Sequence, residues 1–199
     1  RRPGRFFADA PPAELYPPVG PLPLHHALPI PRRGPDHLAL LGKRDVLLYH
    51  PFEDYAAVER FAEAALAEEV EEVWATLYRT GEENPLAEAL IAAARKGKRV
   101  HVLLEGRARF DELLNLRWYL RLVRAGVEVL PLPERKVHAK AFLILTREGG
   151  YAHLGTGNYH PRTARLYTDF DLLTSNAEIC ADVSEVFQQL TGLGKASKL

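Results

Sequence analysis

One apolar stretch of the chain carries a histidine and a lysine two positions apart, in the run Lys136-Val137-His138-Ala139-Lys140-Ala141-Phe142-Leu143-Ile144-Leu145. Side chains two apart on a β-strand point the same way, about 7 Å along it. The composition of the run therefore predicts that His138 and Lys140 share one face of a strand. A neutral imidazole can attack phosphorus, and a neighbouring ammonium neutralises phosphate oxygens. The pair predicts a phosphate site, with His138 as the candidate nucleophile and Lys140 as a phosphate-binding residue.

A loop of small residues is predicted to lie across from this pair. Apolar residues flank Gly149-Gly150 on both sides, which is typical of two antiparallel strands joined by a hairpin. The second strand leads into Gly155-Thr156-Gly157-Asn158, where a hydroxyl and an amide can approach an anion closely. A lone strand histidine is more often a packed core residue. The lysine, this loop and nearby arginines together favour a functional His138, with Asn158 as a further phosphate contact.

Two arginines follow predicted strands. Arg79 comes after the strand-like segment 70–78, and Arg109 lies in the loop after segment 99–105. Sites in α/β sheets usually lie where strands end, and a guanidinium can bind phosphate oxygens through two parallel hydrogen bonds. Each arginine alone is as typical of an exposed surface. Their convergence on one edge of the sheet favours phosphate binding by Arg79 and Arg109, ahead of Arg107.

Other polar residues near the hairpin carry weaker signals. Taken alone, Tyr167 is typical of a packed tyrosine. Asp169 and Asp171 on one strand suggest paired carboxylates, but no cluster of partners accompanies them in the sequence. His153 and His160 flank the loop, and the pattern favours neither as a participant.

Hydrophobic periodicity predicts an alternating α/β chain. A short buried strand at 45–50 is closed by His50-Pro51, and further strands are predicted at 70–78, 99–105 and 127–130. Helices are predicted over 54–69, from Pro85 to Gly97 with Asn84 as the N-cap, over 111–125, and over 177–190 with Asn176 as the N-cap. These alternations before the hairpin predict an α/β sandwich with a mixed sheet.

Composition narrows the class of protein. The 199 residues are 47% hydrophobic, and 26 basic residues balance 26 acidic ones, so no global field points to nucleic acid. Any anion site must be local. No apolar run approaches the ~20 residues that span a bilayer, and no membrane span is predicted. The single cysteine, Cys180, excludes an intrachain disulfide and indicates a reducing compartment, the cytoplasm.

Residues 1–42 hold most of the prolines, which exclude a long helix or a central strand there. We expect a proline-rich arm, or the end of a preceding domain, followed by one domain over 43–199. The chain contains no methionine, not even at its start. We therefore expect a fragment of a longer protein.

Several motifs together resemble the bacterial long-chain polyphosphate kinase family, in order and spacing from about residue 44 to residue 192. The matching segments are Arg44-Asp45-Val46-Leu47-Leu48-Tyr49-His50-Pro51-Phe52, Thr76-Leu77-Tyr78-Arg79-Thr80, Ala108-Arg109-Phe110-Asp111, Val137-His138-Ala139-Lys140, His153-Leu154-Gly155-Thr156-Gly157-Asn158-Tyr159 and Thr163-Ala164-Arg165-Leu166-Tyr167-Thr168-Asp169. The last two motifs together are specific. The resemblance implies a phospholipase-D-like α/β fold, a mixed sheet sandwiched by helices. It also implies reversible transfer of the terminal phosphate of ATP to polyphosphate through a phosphohistidine.

Carried over residue by residue, the resemblance implies that His138 is the phosphorylated nucleophile and that Tyr167 contacts the nucleotide. It places Arg79 and Arg109 at the phosphate and magnesium site. Arginines cannot ligate a cation directly, so they would hold phosphates that in turn hold Mg²⁺, the implied cofactor. The implied partners are ATP or ADP, and polyphosphate.

Two departures from the family pattern bear on function. The wider phospholipase D pattern has an aspartate five residues after the lysine, where this chain has Leu145; this fits a kinase and weighs against a hydrolase. The family enzyme also carries a second similar domain with a second histidine as acid or base, which is expected to be a missing partner here. Three functions stay open. They are a kinase domain that is incomplete without the second domain, a phospholipase-D-like nuclease or phosphodiesterase completed by homodimerisation, and a polyphosphate-binding module without turnover.

Overall fold

The computed structural model describes residues 34–105, 112–130 and 137–192. Within these ranges seven strands form one mixed sheet. In chain order they are β1 (Val46–His50), β2 (Val70–Leu77), β3 (Arg99–Leu104), β4 (Glu128–Leu130), β5 (Lys140–Thr146), β6 (Gly150–Gly155) and β7 (Asp169–Thr174). Their order across the sheet is β1-β7-β6-β5-β2-β3-β4.

The helices of the same ranges are α1 (Gly34–Leu41), α2 (Ala56–Glu63), α3 (Pro85–Arg95), α4 (Glu112–Arg124), α5 (Pro161–Ala164) and α6 (Ala177–Leu190). Two of them begin at the caps expected from sequence. Asn84 accepts a hydrogen bond from the Ala87 N–H, with Pro85 at the first position of α3. Asn176 accepts from the N–H groups of Glu178 and Ile179 at the start of α6.

The sheet is parallel on one side and antiparallel on the other. β2, β3 and β4 run parallel, with α3 and α4 in the connections between them. β5, β6, β7 and β1 continue the sheet through antiparallel pairs. The predicted alternating α/β chain with a β5–β6 hairpin is confirmed.

Helices cover both faces of the sheet. The larger core packs residues of α1 to α4 against one face, including Phe61, Leu90 and Leu122. On the other face α6 buries Val183 and Phe187 against the strands. Cys180, a free thiol, is buried in this second core. The expected mixed sheet sandwiched by helices is therefore the observed fold.

Some element boundaries differ from the periodicity. The helix expected over 54–69 ends at Glu63, because a 3₁₀ turn follows at Ala64–Leu66 and Ala67 is extended, which leads the chain into β2. Residues 34–41, expected within the arm, form a short helix whose Leu38 and Leu41 are buried in the core. Pro35 is compatible with this helix because a first-turn residue needs no intrahelical N–H bond. No helix among the described residues combines the length and apolar character needed to cross a bilayer.

Candidate functional site

Four strand ends meet at one edge of the sheet. The register places Lys140, the first residue of β5, opposite Gly155 at the end of β6. Gly155 in turn lies opposite Asp171 of β7, and β7 begins with Asp169 opposite His50 of β1. The pairing of strands thus brings the histidine–lysine motif and the loop of small residues together, as the hairpin predicted.

Lys140 holds the exposed ring of His138. β5 begins at Lys140, so His138 precedes the strand instead of lying within it. The Lys140 ammonium Nζ lies 2.9 Å from Nδ1 and 3.0 Å from Nε2 of His138, and it donates a hydrogen bond of 2.7 Å to the His138 carbonyl oxygen. Lys140 is buried and His138 is exposed. The imidazole is accessible from solvent while a cation lies directly beside it.

Tyr78 forms a second wall of this cluster. Its ring centroid lies 5.0 Å from that of His138 at an interplanar angle of 81°, an edge-to-face contact. Lys140 Nζ is 5.8 Å from the centre of the same ring. Tyr78 is buried and is absent from the site predicted from sequence. The available signal was its position directly after a buried strand, two residues beyond Thr76.

The segment that carries His138 is fastened to β2 by Thr76. The buried Thr76 hydroxyl donates to the Ala139 carbonyl oxygen at 2.8 Å and accepts from the Ala141 N–H at 3.1 Å. A side chain therefore supplies backbone hydrogen bonds where β5 begins. Its partners lie far away in sequence, so the role of this threonine depends on the strand pairing.

Arg79 lies two residues beyond β2, partly buried, as the strand-end prediction requires. Buried Asn115 of α4 supports the flanking backbone. Its Nδ2 donates to the carbonyl oxygens of Tyr78 at 2.9 Å and Glu105 at 2.6 Å, and its Oδ1 accepts from the Thr80 hydroxyl at 2.7 Å. One amide thus joins the ends of β2 and β3. Arg107 and Arg109 lie outside the described residues.

The loop at 155–158 is packed against β7. A Cβ atom on Gly155 would overlap Asp171 Oδ1, and one on Gly157 would lie 2.6 Å from Asp169 Oδ2. Both positions therefore require glycine because carboxylates occupy the space of a side chain. The Thr156 hydroxyl, expected from sequence to face an anion, donates to Asp169 Oδ1 at 2.9 Å and accepts from the Phe170 N–H at 3.0 Å.

Asn158 differs from Thr156. Its side-chain Oδ1 is buried and has no hydrogen-bond partner among the described residues. The oxygen and nitrogen of an asparagine amide are told apart only by their surroundings. The buried atom of Asn158 can therefore accept a hydrogen bond or, if the amide is rotated, donate one. An unpaired buried polar group is costly, and a bound ligand is one way to satisfy it.

Behind the loop, Asp171 lies between two buried histidines. Its Oδ2 is 2.8 Å from His50 Nε2, and its Oδ1 is 3.1 Å from His153 Nε2. His153 Nδ1 is 2.7 Å from the hydroxyl of buried Tyr159. The partners that sequence did not reveal for Asp171 therefore come from β1 and β6.

The contacts assign the protons in this network. His50 Nδ1 is 2.8 Å from the Glu53 carbonyl oxygen, which only accepts, and Nε2 faces a carboxylate, so both ring nitrogens carry hydrogen. Burial alone would lower the pKa of His50, but Asp171 and the Glu53 carbonyl outweigh it and raise that pKa. Burial alone would raise the pKa of Asp171, but hydrogen bonds from His153 and His50 lower it to about 2. A buried ion pair joins β1 to β7.

Tyr167 lies on the turn after α5 and is 63% exposed, and its N–H donates to the Thr163 carbonyl oxygen at 2.9 Å. An exposed aromatic ring can stack on a planar ligand. A cavity of about 810 Å³ opens beside the turn, with both acidic and basic side chains in its lining: Glu59, Gly81, Glu82, Glu83, Pro85, Leu114, His160, Arg162, Arg165 and Leu166.

The donor set of the described residues does not fit a metal ion held directly by protein. Within the described ranges no group of three or more His, Cys, Asp or Glu side chains is placed to hold one. The basic side chains at the sheet edge fit phosphate oxygens instead. A divalent cation at this edge would therefore depend on bound phosphate for its ligands.

Comparisons with known proteins agree with this fold. The sequence model of the family described as polyphosphate kinase C-terminal domain 1 matches residues 36–196. A polyphosphate kinase from Burkholderia ambifaria is 48% identical over 83% of this chain and 26% of its own length. The crystal structure of a polyphosphate kinase from Porphyromonas gingivalis has a TM-score of 0.72 and 36% identity, covering 85% of this chain and 31% of that one.

A phospholipase D family member from Salmonella typhimurium shares the fold alone. It has a TM-score of 0.60 at 13% identity and covers 78% of this chain and 98% of that one. The curated relatives are much longer, and this chain spans about a quarter of the length of the Burkholderia ambifaria protein.

Proposed function

Because this chain belongs to the polyphosphate kinase family, as its C-terminal domain 1, we propose that it takes part in reversible transfer of the terminal phosphate of ATP to polyphosphate. One observation carries the proposal. The exposed imidazole of His138 lies within about 3 Å of the buried ammonium of Lys140, which is a nucleophile beside a phosphate-neutralising cation.

The reaction would proceed in two steps at His138. A ring nitrogen attacks the terminal phosphorus of ATP, a nitrogen–phosphorus bond forms, and the bond from phosphorus to the bridging oxygen breaks to release ADP. A terminal oxygen of polyphosphate then attacks the same phosphorus, and the nitrogen–phosphorus bond breaks. Both steps run in reverse when polyphosphate donates to ADP.

The surrounding side chains would hold the transferring phosphate. Lys140 and Arg79 place positive charge at the sheet edge, and Arg109 and Asn158 are proposed as further phosphate contacts. Tyr167 is proposed to stack on the nucleotide, which its exposed ring supports. Mg²⁺ is the proposed cofactor; it would lower the charge repulsion between phosphates when bound to them.

We also propose that a second domain of the same enzyme supplies the proton-carrying group that assists the leaving oxygen. Within the described residues, the buried histidines at this edge are occupied, since His50 and His153 are paired with Asp171. The length of the relatives leaves room for such a domain.

The test is phosphoryl transfer to full-length enzyme carrying this domain. The enzyme is incubated with ATP labelled in its terminal phosphate and Mg²⁺, and acid-labile, base-stable label is mapped by mass spectrometry of peptides. We expect label on the peptide with His138 and none in His138→Ala. His101→Gln, a change on β3 where His101 pairs with Glu72 and Glu128, should keep the label.

Three results would overturn the proposal. The first is full labelling of the His138→Ala enzyme. The second is cleavage of a phosphodiester reporter by an enzyme that forms no phosphohistidine, which would favour a nuclease. The third is tight polyphosphate binding without label on His138, which would identify a binding module.

A further inference from the structure

One strip of the exposed side of α4 is apolar, from Leu113 to Val123. Leu113 is 76% exposed, Leu116 53%, Leu120 44% and Val123 46%, and Tyr119 beside them is 42% exposed. Single exposed leucines are ordinary, but a contiguous apolar strip on a helix marks a contact surface. Phosphate chemistry at the sheet edge does not require these side chains.

Helix geometry separates three faces of α4. At about 100° per residue, Asn115, Trp118 and Leu122 share one face, and all three are buried in the domain. The exposed apolar residues occur at spacings of three, four and three along a second face. This is the pattern of a helix that packs against another helix. We call it the α4 stripe: Leu113, Leu116, Leu120 and Val123.

A basic border runs along one side of the α4 stripe. Arg117, Arg121 and Arg124 follow at spacings of four and three, on the side of the stripe away from Tyr119, and all are exposed. Arg121 lies over the Trp118 ring at 4.3 Å and pairs at 2.6 Å with Glu88 of α3, so its guanidinium is held on the side of α4 that faces α3. The α4 stripe is thus bordered by exposed basic side chains on one side.

We propose that the α4 stripe docks an amphipathic helix with an acidic border, from a part of the polyphosphate kinase polypeptide outside these 199 residues. Charge complementarity selects that partner, because carboxylates beside its apolar positions would face the guanidiniums of Arg117 and Arg124. Antiparallel pairing of two α4 helices would instead place arginines against arginines. The relatives have about three quarters of their length outside the matched region, so they contain ample chain to supply the helix.

The test measures burial of the stripe in full-length enzyme carrying this domain. Cysteine is introduced singly by Leu116→Cys and by Leu120→Cys. The matched controls are exposed positions outside α4, Gln188→Cys on α6 and Glu68→Cys in the turn before β2. Alkylation by a maleimide is timed by mass spectrometry of the peptide concerned. Each rate is divided by the rate in urea-unfolded enzyme. We expect protection of the two α4 cysteines at least about tenfold above that of the controls.

The acidic border is tested separately. Arg117→Glu with Arg124→Glu, added to the Leu116→Cys enzyme, should return the alkylation rate to that of the controls, and protection should weaken at high salt. Unchanged protection in the enzyme with Arg117→Glu and Arg124→Glu would show that the bound helix has no acidic border.

Three results would overturn the proposal as a whole. Alkylation of Leu116→Cys and Leu120→Cys as fast as the controls would show that the stripe remains open. Protection that disappears on dilution, together with a dimeric mass that falls, would identify a second copy as the occupant. Protection that appears only with vesicles of phosphatidylcholine and phosphatidylserine would identify a lipid surface.

Discussion

Lys140 combines burial with charge at the candidate site. A buried ammonium is costly unless polar groups surround it, and the carbonyl oxygen and ring of His138 meet part of that need. The same contacts place positive charge beside the proposed nucleophile. The residue therefore links the local structure of the motif to its proposed chemistry.

Replacing Lys140 should slow phosphoryl transfer far more than it changes the fold. We expect Lys140→Gln to lower the rate of His138 phosphorylation by about a hundredfold, because a cation next to developing negative charge contributes on this scale. Single-turnover transfer from labelled ATP measures the rate, and circular dichroism checks the fold. Lys98→Gln removes a half-buried lysine that donates to the Glu68 carbonyl oxygen, and it should leave the rate unchanged. An equal rate in the Lys140 variant would contradict a phosphate-binding role.

The loop at 155–158 shows how one element supports the site. Gly155 and Gly157 let the carboxylates of β7 pack against the backbone, and the Thr156 hydroxyl joins the loop to Asp169. The loop is thus held by β7, and Asn158 is presented from a fixed backbone. This packing explains the small residues of the loop as well as the approach of an anion would.

Two glycines of the same hairpin should differ sharply on substitution. Gly155→Ala forces its new methyl group onto the Asp171 carboxylate, and we expect it to reduce the free energy of unfolding by roughly 2 kcal/mol or more. Gly149 has open space around its Cβ position, so Gly149→Ala should change the free energy by less than about 1 kcal/mol. Urea unfolding followed by circular dichroism compares them. Equal losses would mean that the contact with Asp171 relaxes without cost.

On the scale of the whole molecule, the buried ion pair fastens the edge of the sheet. His50 of β1, Asp171 of β7 and His153 of β6 lie side by side. Removing one partner of such a pair leaves a buried charge unpaired, which costs roughly 3 kcal/mol. The pair thus couples the folding of β1 to that of the hairpin.

The pKa shifts of His50 and Asp171 define the pH range in which the ion pair stabilises the fold fully. A raised pKa for His50 means that its contribution is full below its ordinary value of 6.5 and is lost as pH rises through the raised value. A pKa of about 2 for Asp171 means that its contribution is full above the ordinary 3.8 and is lost as pH falls through about 2. The ion pair therefore stabilises most between these ordinary values, from 3.8 to 6.5.

Asp171→Asn should remove this pH dependence. We expect the difference in unfolding free energy between wild type and variant to be largest near pH 5, roughly 3 kcal/mol, and to shrink as alkaline pH removes the His50 proton. Urea unfolding at a series of pH values measures it. Asp182→Asn, a change on the exposed side of α6, is the control. A difference that is constant from acid to alkaline pH would argue against an ionised His50.

Sequence alone determined the elements and the motif. The alternation of apolar residues, the caps at Asn84 and Asn176, and the break at Gly149-Gly150 predict helices and strands, because these signals act within a few residues of backbone. The spacing of His138 and Lys140 is equally local, and the matching motifs identified the family. The end of α2 was predicted less accurately, because the 3₁₀ turn before β2 depends on where the next strand begins.

Only the tertiary structure decided what surrounds the motif. The edge-to-face contact of Tyr78 with His138, the Thr76 bonds to the start of β5 and the pairing of Asp171 with His50 and His153 join strands that are distant in the chain. Strand order and register bring these side chains together, and no local pattern encodes either one. The same holds for α4. Its helical spacing could be predicted from sequence, but packing against the sheet decided which face of the helix the domain buries.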